Sequence, residues 1–281
     1  MRGRSIASRR RVDHSMRLAA GCAATIGILL LGWILATVVS RGVAALSPVF
    51  FTRLPTPPGV TGGGLANAML GTLLMTALAA VLAIPTGLMA GVYLAEYGRE
   101  SRFAATVRMA ANILMGVPSI ISGVFVYTFL VATTGHFSGY AGAVALALIM
   151  LPLIVRTTED MLLLVPSALR EAGLALGTPR WRVTRDIVLR SASKGLLTGV
   201  LLAVARVSGE TAPLLFTSLN SPYWPQRLGQ PTANLTVTIF SYAMSPFRDW
   251  QSQAWGAALV VTLAVLATSL VARLFIRVKG V

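Results

Sequence analysis

Carboxylates are scarce in this chain. Nine Asp and Glu stand against 24 Lys and Arg in 281 residues, a formal net charge of +15. Charged residues of both signs make up 12%, where a soluble domain carries roughly 25%. Cysteine occurs once, as Cys22, which excludes an intrachain disulfide and a Cys-built metal cluster. Within an apolar run it reads as a small packing residue. His14 lies in a basic tail and His136 in a short loop, neither with ligand company, so no metal site is expected. The Gly-x-x-x-x-Gly-Lys-Ser/Thr phosphate loop is missing, which excludes ATP hydrolysis of that type by this chain. No enzyme site emerges, and no cofactor is expected.

What the chain has is apolar length. Hydrophobic residues make up 55%, and mean hydropathy is +0.74. The positive charge suggests nucleic acid at first sight. Yet the basic residues alternate with apolar runs instead of gathering on one module, and a soluble nucleic-acid binder could not hide this much apolar surface. A membrane-spanning helix needs about 20 mostly apolar residues. Six runs are candidates: 18–40, 65–94 with Pro85 inside it, 110–133 with Pro118 near its start, the short 140–155 with Pro152, 195–217 and 255–275. The expected fold is an all-α integral membrane protein of about six transmembrane helices, with a cytoplasmic helix between the fourth and fifth. It divides into a basic tail 1–17, a first span and outer loop 18–64, and a core 65–281 containing the loop 156–194.

Lys and Arg set the orientation. With the N-terminus inside, nineteen of them fall on the cytoplasmic side, and only Arg41, Arg53, Arg227 and Arg248 fall outside. The positive-inside rule then places both termini in the cytoplasm. The basic start followed by an apolar run resembles a signal peptide. The run is too long for one and no small-residue cleavage site follows, so it reads as a retained span. The arginines of the tail suit orientation and lipid contact. The outer loops are rich in Gly and Pro, as in 56–64. The longest, 218–254, either meets an external partner or caps the bundle.

Two charged residues interrupt the fifth run, Arg206 and Glu210. Ionisable groups at membrane depth are costly and persist mainly where they face a protein interior or a wet pathway. The chain is therefore expected to move a polar or charged solute past this helix. Four residues apart, the two share a helical face and can pair. Arg206 offers a planar donor array matched to tetrahedral oxyanions. Glu210 either holds Arg206 in place or weakens anion binding enough for release; an architectural ion pair is the alternative. Ser208 and Thr211 add hydroxyls that either face the path or bond to their own backbone. Pro213 and Pro118 remove helical hydrogen bonds, so each bends its span, as a gate or as a passive kink. Gly87 and Gly91, four apart, mark close helix packing.

The loop 156–194 reads as a short helix, a turn and a second helix. Pro166 suits a first helical turn. Leu169, Ala172 and Leu176 recur at helical spacing on one face. Gly177 and Pro179 stop that helix, and Thr178 can cap the next one with Pro179 in its first turn. Composition alone would let this element pack on its own bundle. However, Glu171-Ala172, Gly177, Ile187 and Leu189 resemble the EAA loop of binding-protein-dependent ABC importer permeases, with Gly173 where Ala is usual and Leu189-Arg190 where Leu-Pro is usual. The run Arg206 to Leu215 closely resembles the phosphate importer permeases, Arg-x-x-x-Glu-Thr-Ala-Pro-Leu-Leu being its most specific part. Similar likeness lies in Leu70-Gly71-Thr72-Leu73, Gly91-Val92-Tyr93-Leu94-Ala95-Glu96-Tyr97, Gly116-Val117-Pro118-Ser119-Ile120-Ile121-Ser122-Gly123 and Asn234 to Phe240, the last fitting the A-type member of the paired permeases. The likeness runs from about Leu65 to the C-terminus.

The resemblance implies a bacterial inner-membrane permease subunit of an ATP-driven phosphate importer. It implies four kinds of company besides the lipid bilayer: a second, similar permease, two ATP-binding subunits that hydrolyse ATP, and an extracytoplasmic phosphate-binding protein. It implies a translocation path at Arg206, Glu210, Ser208, Thr211, Pro118 and Ser119. It implies coupling to the ATP-binding subunits through Leu169, Arg170, Glu171, Ala172, Gly173 and Gly177. The rival readings are a permease for another oxyanion such as molybdate or sulfate, a stand-alone secondary transporter or channel, and a non-transporting subunit whose charge pair is structural.

Overall fold

The computed structural model describes residues 6–277, and every regular element among them is helical. Arg2, Arg4 and Lys279, counted above for orientation, lie outside the described residues. In chain order the main helices are α1 (Ile6–Ala45), α2 (Ala66–Tyr97), α3 (Arg102–Gly116), α4 (Ser119–Thr134), α5 (Gly139–Leu163), α6 (Ser167–Ala175), α7 (Arg180–Ser208), α8 (Leu235–Ala243) and α9 (Arg248–Arg277). One-turn helices occur at Pro48–Thr52 and Ala212–Leu215. Five helices, α1, α2, α5, α7 and α9, are long and apolar enough to cross a membrane, and α3 with α4 makes a sixth if the bent pair is one span.

Three expectations change in detail. The third span is not a single rod: α3 and α4 meet at 105°. Val117, the residue before Pro118, is extended (φ −72°, ψ 130°), as proline demands of its predecessor. The fourth span does not stop at 155. Pro152 sits inside an unbroken helix that continues to Leu163, past Arg156 and Glu159. It can do so because Glu159, 2% exposed, is paired with Arg108 and Arg156. The fifth span ends at Ser208 and not at 217. Gly209 is a poor helix former, and Pro213 cannot donate to the carbonyl four residues back, which is that of Gly209.

The centre of the molecule is α2 against α5. A side chain at Gly87 would meet Ile154 at 2.8 Å, and one at Gly91 would meet Thr158 at 2.5 Å. The two glycines therefore set how close the helices run. Met75, Ala79, Leu146, Met150, Ile154, Ala203 and Val207 fill the seam between α2, α5 and α7. By contrast, no part of the apolar window of α1 is buried inside the chain. It touches the bundle through Gly42 beside Leu259 and Arg41 above Trp255. Its remaining surface is free for lipid or another subunit.

Candidate functional site

The two helix breaks face each other. The elbow between α3 and α4 and the end of α7 enclose a cavity of about 180 Å³ lined by Leu114, Met115, Val117, Pro118, Ser119, Ser122, Ile149, Leu153, Arg206 and Glu210. Four of the residues singled out in the sequence thus line one space: Pro118, Ser119, Arg206 and Glu210. Non-helical backbone at membrane depth is tolerated where it lines a cavity or is buried in protein. A larger cavity, about 610 Å³, opens between the loops at 54–58 and 220–223. Prolines, aromatics and uncharged polar residues line it, with no charged side chain, so the smaller cavity is the one that offers charge to an ion.

Arg206 lies in the last turn of α7, with its carbonyl taken by Gly209 N–H (3.2 Å). Glu210 lies beyond the helix. Its N–H donates to Val207 (3.1 Å), and its carbonyl accepts from the Thr236 hydroxyl (2.7 Å). The expected pairing of these two side chains on one helical face is not made, because the helix ends between them. Neither side chain forms an ion pair or hydrogen bond among the described residues. Arg206 is exposed and Glu210 half-buried, so the cavity holds one unneutralised cation and one unneutralised anion. Ser119 opens α4 directly after Pro118. The first N–H groups of a helix lack intrahelical acceptors and carry the positive end of its dipole, which adds donors to the same wall.

Ser208 and Thr211 are not brought to this cavity. The Ser208 hydroxyl donates to Val204 carbonyl (2.8 Å), the backbone alternative allowed above. Thr211 starts the short helix Ala212–Leu215, its carbonyl accepting from Leu214 and Leu215. Pro213 does not kink a long helix but sits at the start of this new one, buried against Gly123 of α4. Ser122 was not singled out, although it lies three residues after Ser119 and so on the same helical face. Its cavity position was therefore legible from spacing.

The second set of residues lies on α6. Gly173 is its buried contact, facing Val183 and Ile187. Any larger residue would push these apart, which accounts for glycine where the resembling loop has alanine. Leu169, Glu171, Ala172, Leu174 and Leu176 are exposed, Leu176 at 85%. Gly177 ends the element in the left-handed region (φ +75°), a conformation glycine adopts without strain. The next helix begins after Pro179 itself, one residue later than a Thr178 cap would place it. Arg170 departs from the rest of the set: it turns inward, 14% exposed, onto buried Glu96.

Comparison with known proteins follows the same outline. The family model for the binding-protein-dependent transport system inner membrane component matches residues 83–278. The phosphate transport system permease protein PstA of Yersinia pestis is 51% identical over 253 residues, covering 90% of this chain and 86% of that protein. PstA of Haemophilus influenzae is 50% identical, covering 90% of each. PstA 1 of Mycobacterium tuberculosis H37Rv is 37% identical over 279 residues, covering 96% of this chain and 89% of that one. Among solved structures, an inward-facing MetNI methionine ABC transporter superposes with a TM-score of 0.62 at 22% identity, covering 75% of this chain and 95% of its own. An amino acid ABC transporter superposes at 0.57 and 16% identity, covering 75% and 91%. These two speak to the fold alone.

Proposed function

The chain belongs to the family of binding-protein-dependent transport system inner membrane components, and from that membership we propose that the Arg206 cavity is part of its path for inorganic phosphate. It is a multi-pass, non-catalytic permease subunit of an ATP-driven phosphate importer, with ATP hydrolysis on separate subunits. Its company in that machine is a second, similar permease, two ATP-binding subunits beneath α6 and an extracytoplasmic phosphate-binding protein. Both termini lie in the cytoplasm in this reading, which the distribution of Lys and Arg supports.

The observation that carries the path is an arginine at a helix break, free of any ion pair among the described residues and open to a cavity. Its fork of N–H donors suits phosphate oxygens. Glu210 in the same cavity limits the depth of the trap, since a permease must release what it binds. The exposed apolar side of α6 is the surface for an ATP-binding subunit, and movement there switches access to the cavity. Pro118 and Ser119 form the facing wall.

The test is ATP-dependent uptake of labelled phosphate by vesicles holding the complete complex. Arg206→Gln is expected to lower uptake by about a hundredfold, the loss of a charge-assisted bidentate contact of roughly 3 kcal/mol. Assembly and basal ATP hydrolysis should persist. Arg206→Lys keeps the charge without the fork and should fall between the two. Native uptake in Arg206→Gln would remove this residue from the path.

A further inference from the structure

The last turn of α2, Tyr93–Tyr97, is π-helical. Such turns sit frequently at functional sites and leave carbonyls open to partners from outside the helix. Here four arginines take up that turn. Arg108 of α3 donates to the Leu94 carbonyl (2.9 Å), and Arg99 to that of Ala95 (2.9 Å). Arg180 donates to the Glu96 carbonyl, its guanidinium 5.3 Å from the centre of the Tyr97 ring. Arg170 of α6 holds the Glu96 carboxylate through Nη2 (2.6 Å) and Nε (3.1 Å). Arg170 also donates to the Leu162 and Val165 carbonyls at the end of α5 (2.7 and 2.6 Å). One side chain therefore joins the short outward-facing helix to the ends of two long ones. Glu96 is only 5% exposed, so this is no solvent-screened surface pair.

The connection continues toward the cavity. Arg108 is bonded both to the π turn and to buried Glu159 of α5. It lies on α3, whose far end supplies Leu114 and Met115 to the cavity wall. The other attachment of α6, Gly173 against Val183 and Ile187, is apolar. Apolar surfaces tolerate sliding. A bidentate guanidinium–carboxylate pair fixes both distance and angle.

We propose that the Arg170–Glu96 pair is the rigid link by which displacement of α6 reaches the cavity wall, with Arg108 passing it from the π turn to α3. Arg170 and Glu96 are positioning residues, and neither lines the cavity. The assignment rests on the reading of α6 as the surface for an ATP-binding subunit. Coupling between distant sites is established by perturbing a link and reading both ends.

The experiment uses the complete complex in vesicles, with Cys22→Ser and Leu114→Cys, and follows the rate of maleimide labelling at position 114 with and without ATP. With Glu96 intact, ATP is expected to change that rate by about fivefold or more. In Glu96→Gln the change should vanish while ATP hydrolysis stays within about twofold of native, because shape is kept and only the charged clamp is lost. Arg170→Lys, which keeps the charge but not the fork, should give an intermediate response. The double variant Glu96→Gln/Arg170→Gln should respond no worse than Arg170→Gln alone, since both act on one link. Should Glu96→Gln not assemble, Arg170→Lys carries the same two readings. A full ATP-driven change in these variants overturns the proposal, and so does a loss strictly proportional to lost hydrolysis. A native complex that shows the ATP-driven change yet takes up no phosphate sinks the functional reading and leaves the link standing.

Discussion

Arg206 and Glu210 share a cavity, and neither has an ion-pair partner among the described residues. Their separation follows from Gly209 and from Pro213, which together end the helix. At this scale the chemistry of the cargo enters. Near neutral pH phosphate retains an O–H, whereas sulfate does not. A carboxylate beside the anion accepts that O–H and repels an oxyanion without one. Sites built to bond a particular hydroxyl discriminate strongly against analogues that lack it. Glu210→Gln is therefore expected to raise inhibition of phosphate uptake by sulfate by at least about tenfold, the worth of one charge-assisted hydrogen bond. A sulfate-competition series on vesicle uptake checks this, and unchanged competition would remove Glu210 from the selection. Ser122→Ala should raise the half-saturating phosphate concentration by roughly fivefold, a hydrogen bond of about 1 kcal/mol. The two charged residues of the cavity were legible in the sequence, because a charge inside an apolar run has few explanations. That Ser208 and Thr211 stay out of the cavity was not, because that depends on where the helix stops.

At the scale of elements, the spans were legible where apolar length alone decides, as in α1 and α9. They were misjudged where a run stays apolar through a break. Residues 110–133 stay apolar past Pro118, and 195–217 turn apolar again after Arg206 and Glu210, yet the backbone turns at Pro118 and Gly209. The signal was present in each proline and in the residue it disfavours upstream. The reverse error occurred at residue 155, where the expected fourth span ends although α5 continues past Arg156 and the paired Glu159 to Leu163. The partners of Glu96 and Glu159 were not legible either, since a carboxylate near a loop reads equally as solvated or paired until the fold brings Arg170 and Arg108 onto it. The break after α7 is itself testable. Gly209→Ala with Pro213→Ala should let the helix continue, bring Glu210 onto the Arg206 face at i, i+4 and neutralise the site. Phosphate uptake should fall while thermal stability is kept or raised. At the α2–α5 seam, Gly91→Val adds atoms where a side chain already meets Thr158 at 2.5 Å. Overpacking of that kind costs about 1–3 kcal/mol, so the melting temperature in detergent should drop. Thr158→Gly in the same chain should restore only part of it, because the Val155 carbonyl still lies 2.8 Å from a side chain at 91.

At the scale of the whole molecule, the two regions assigned a role in the proposed function belong to one bundle. A charged cavity lies among broken helices, and a short amphipathic helix projects from the side that carries most of the basic residues. Between them run α2, α3 and α5, close-packed and clamped by arginines that, Arg170 apart, sequence reading counts only as orientation signals. In the proposed orientation those arginines serve both purposes, because a residue placed at the cytoplasmic boundary is also well placed to bind the carbonyls and carboxylates at helix ends. The exposed leucines of α6 have no such internal use. Leu176, just after the helix, is 85% exposed, and Leu169 and Leu174 on the helix are exposed beside it; in the proposed function this apolar surface is the one that an ATP-binding subunit covers. Leu176→Glu should therefore cut co-purification of the ATP-binding subunit by about tenfold or more, as expected when an anchoring apolar contact is replaced by a charge. The melting temperature of the chain alone should not move. Gly173→Leu, which strikes Val183 and Ile187 inside the chain, should lower both. If Leu176→Glu instead left the complex intact, α6 would belong to the bundle, and the coupling assigned to it would need another surface.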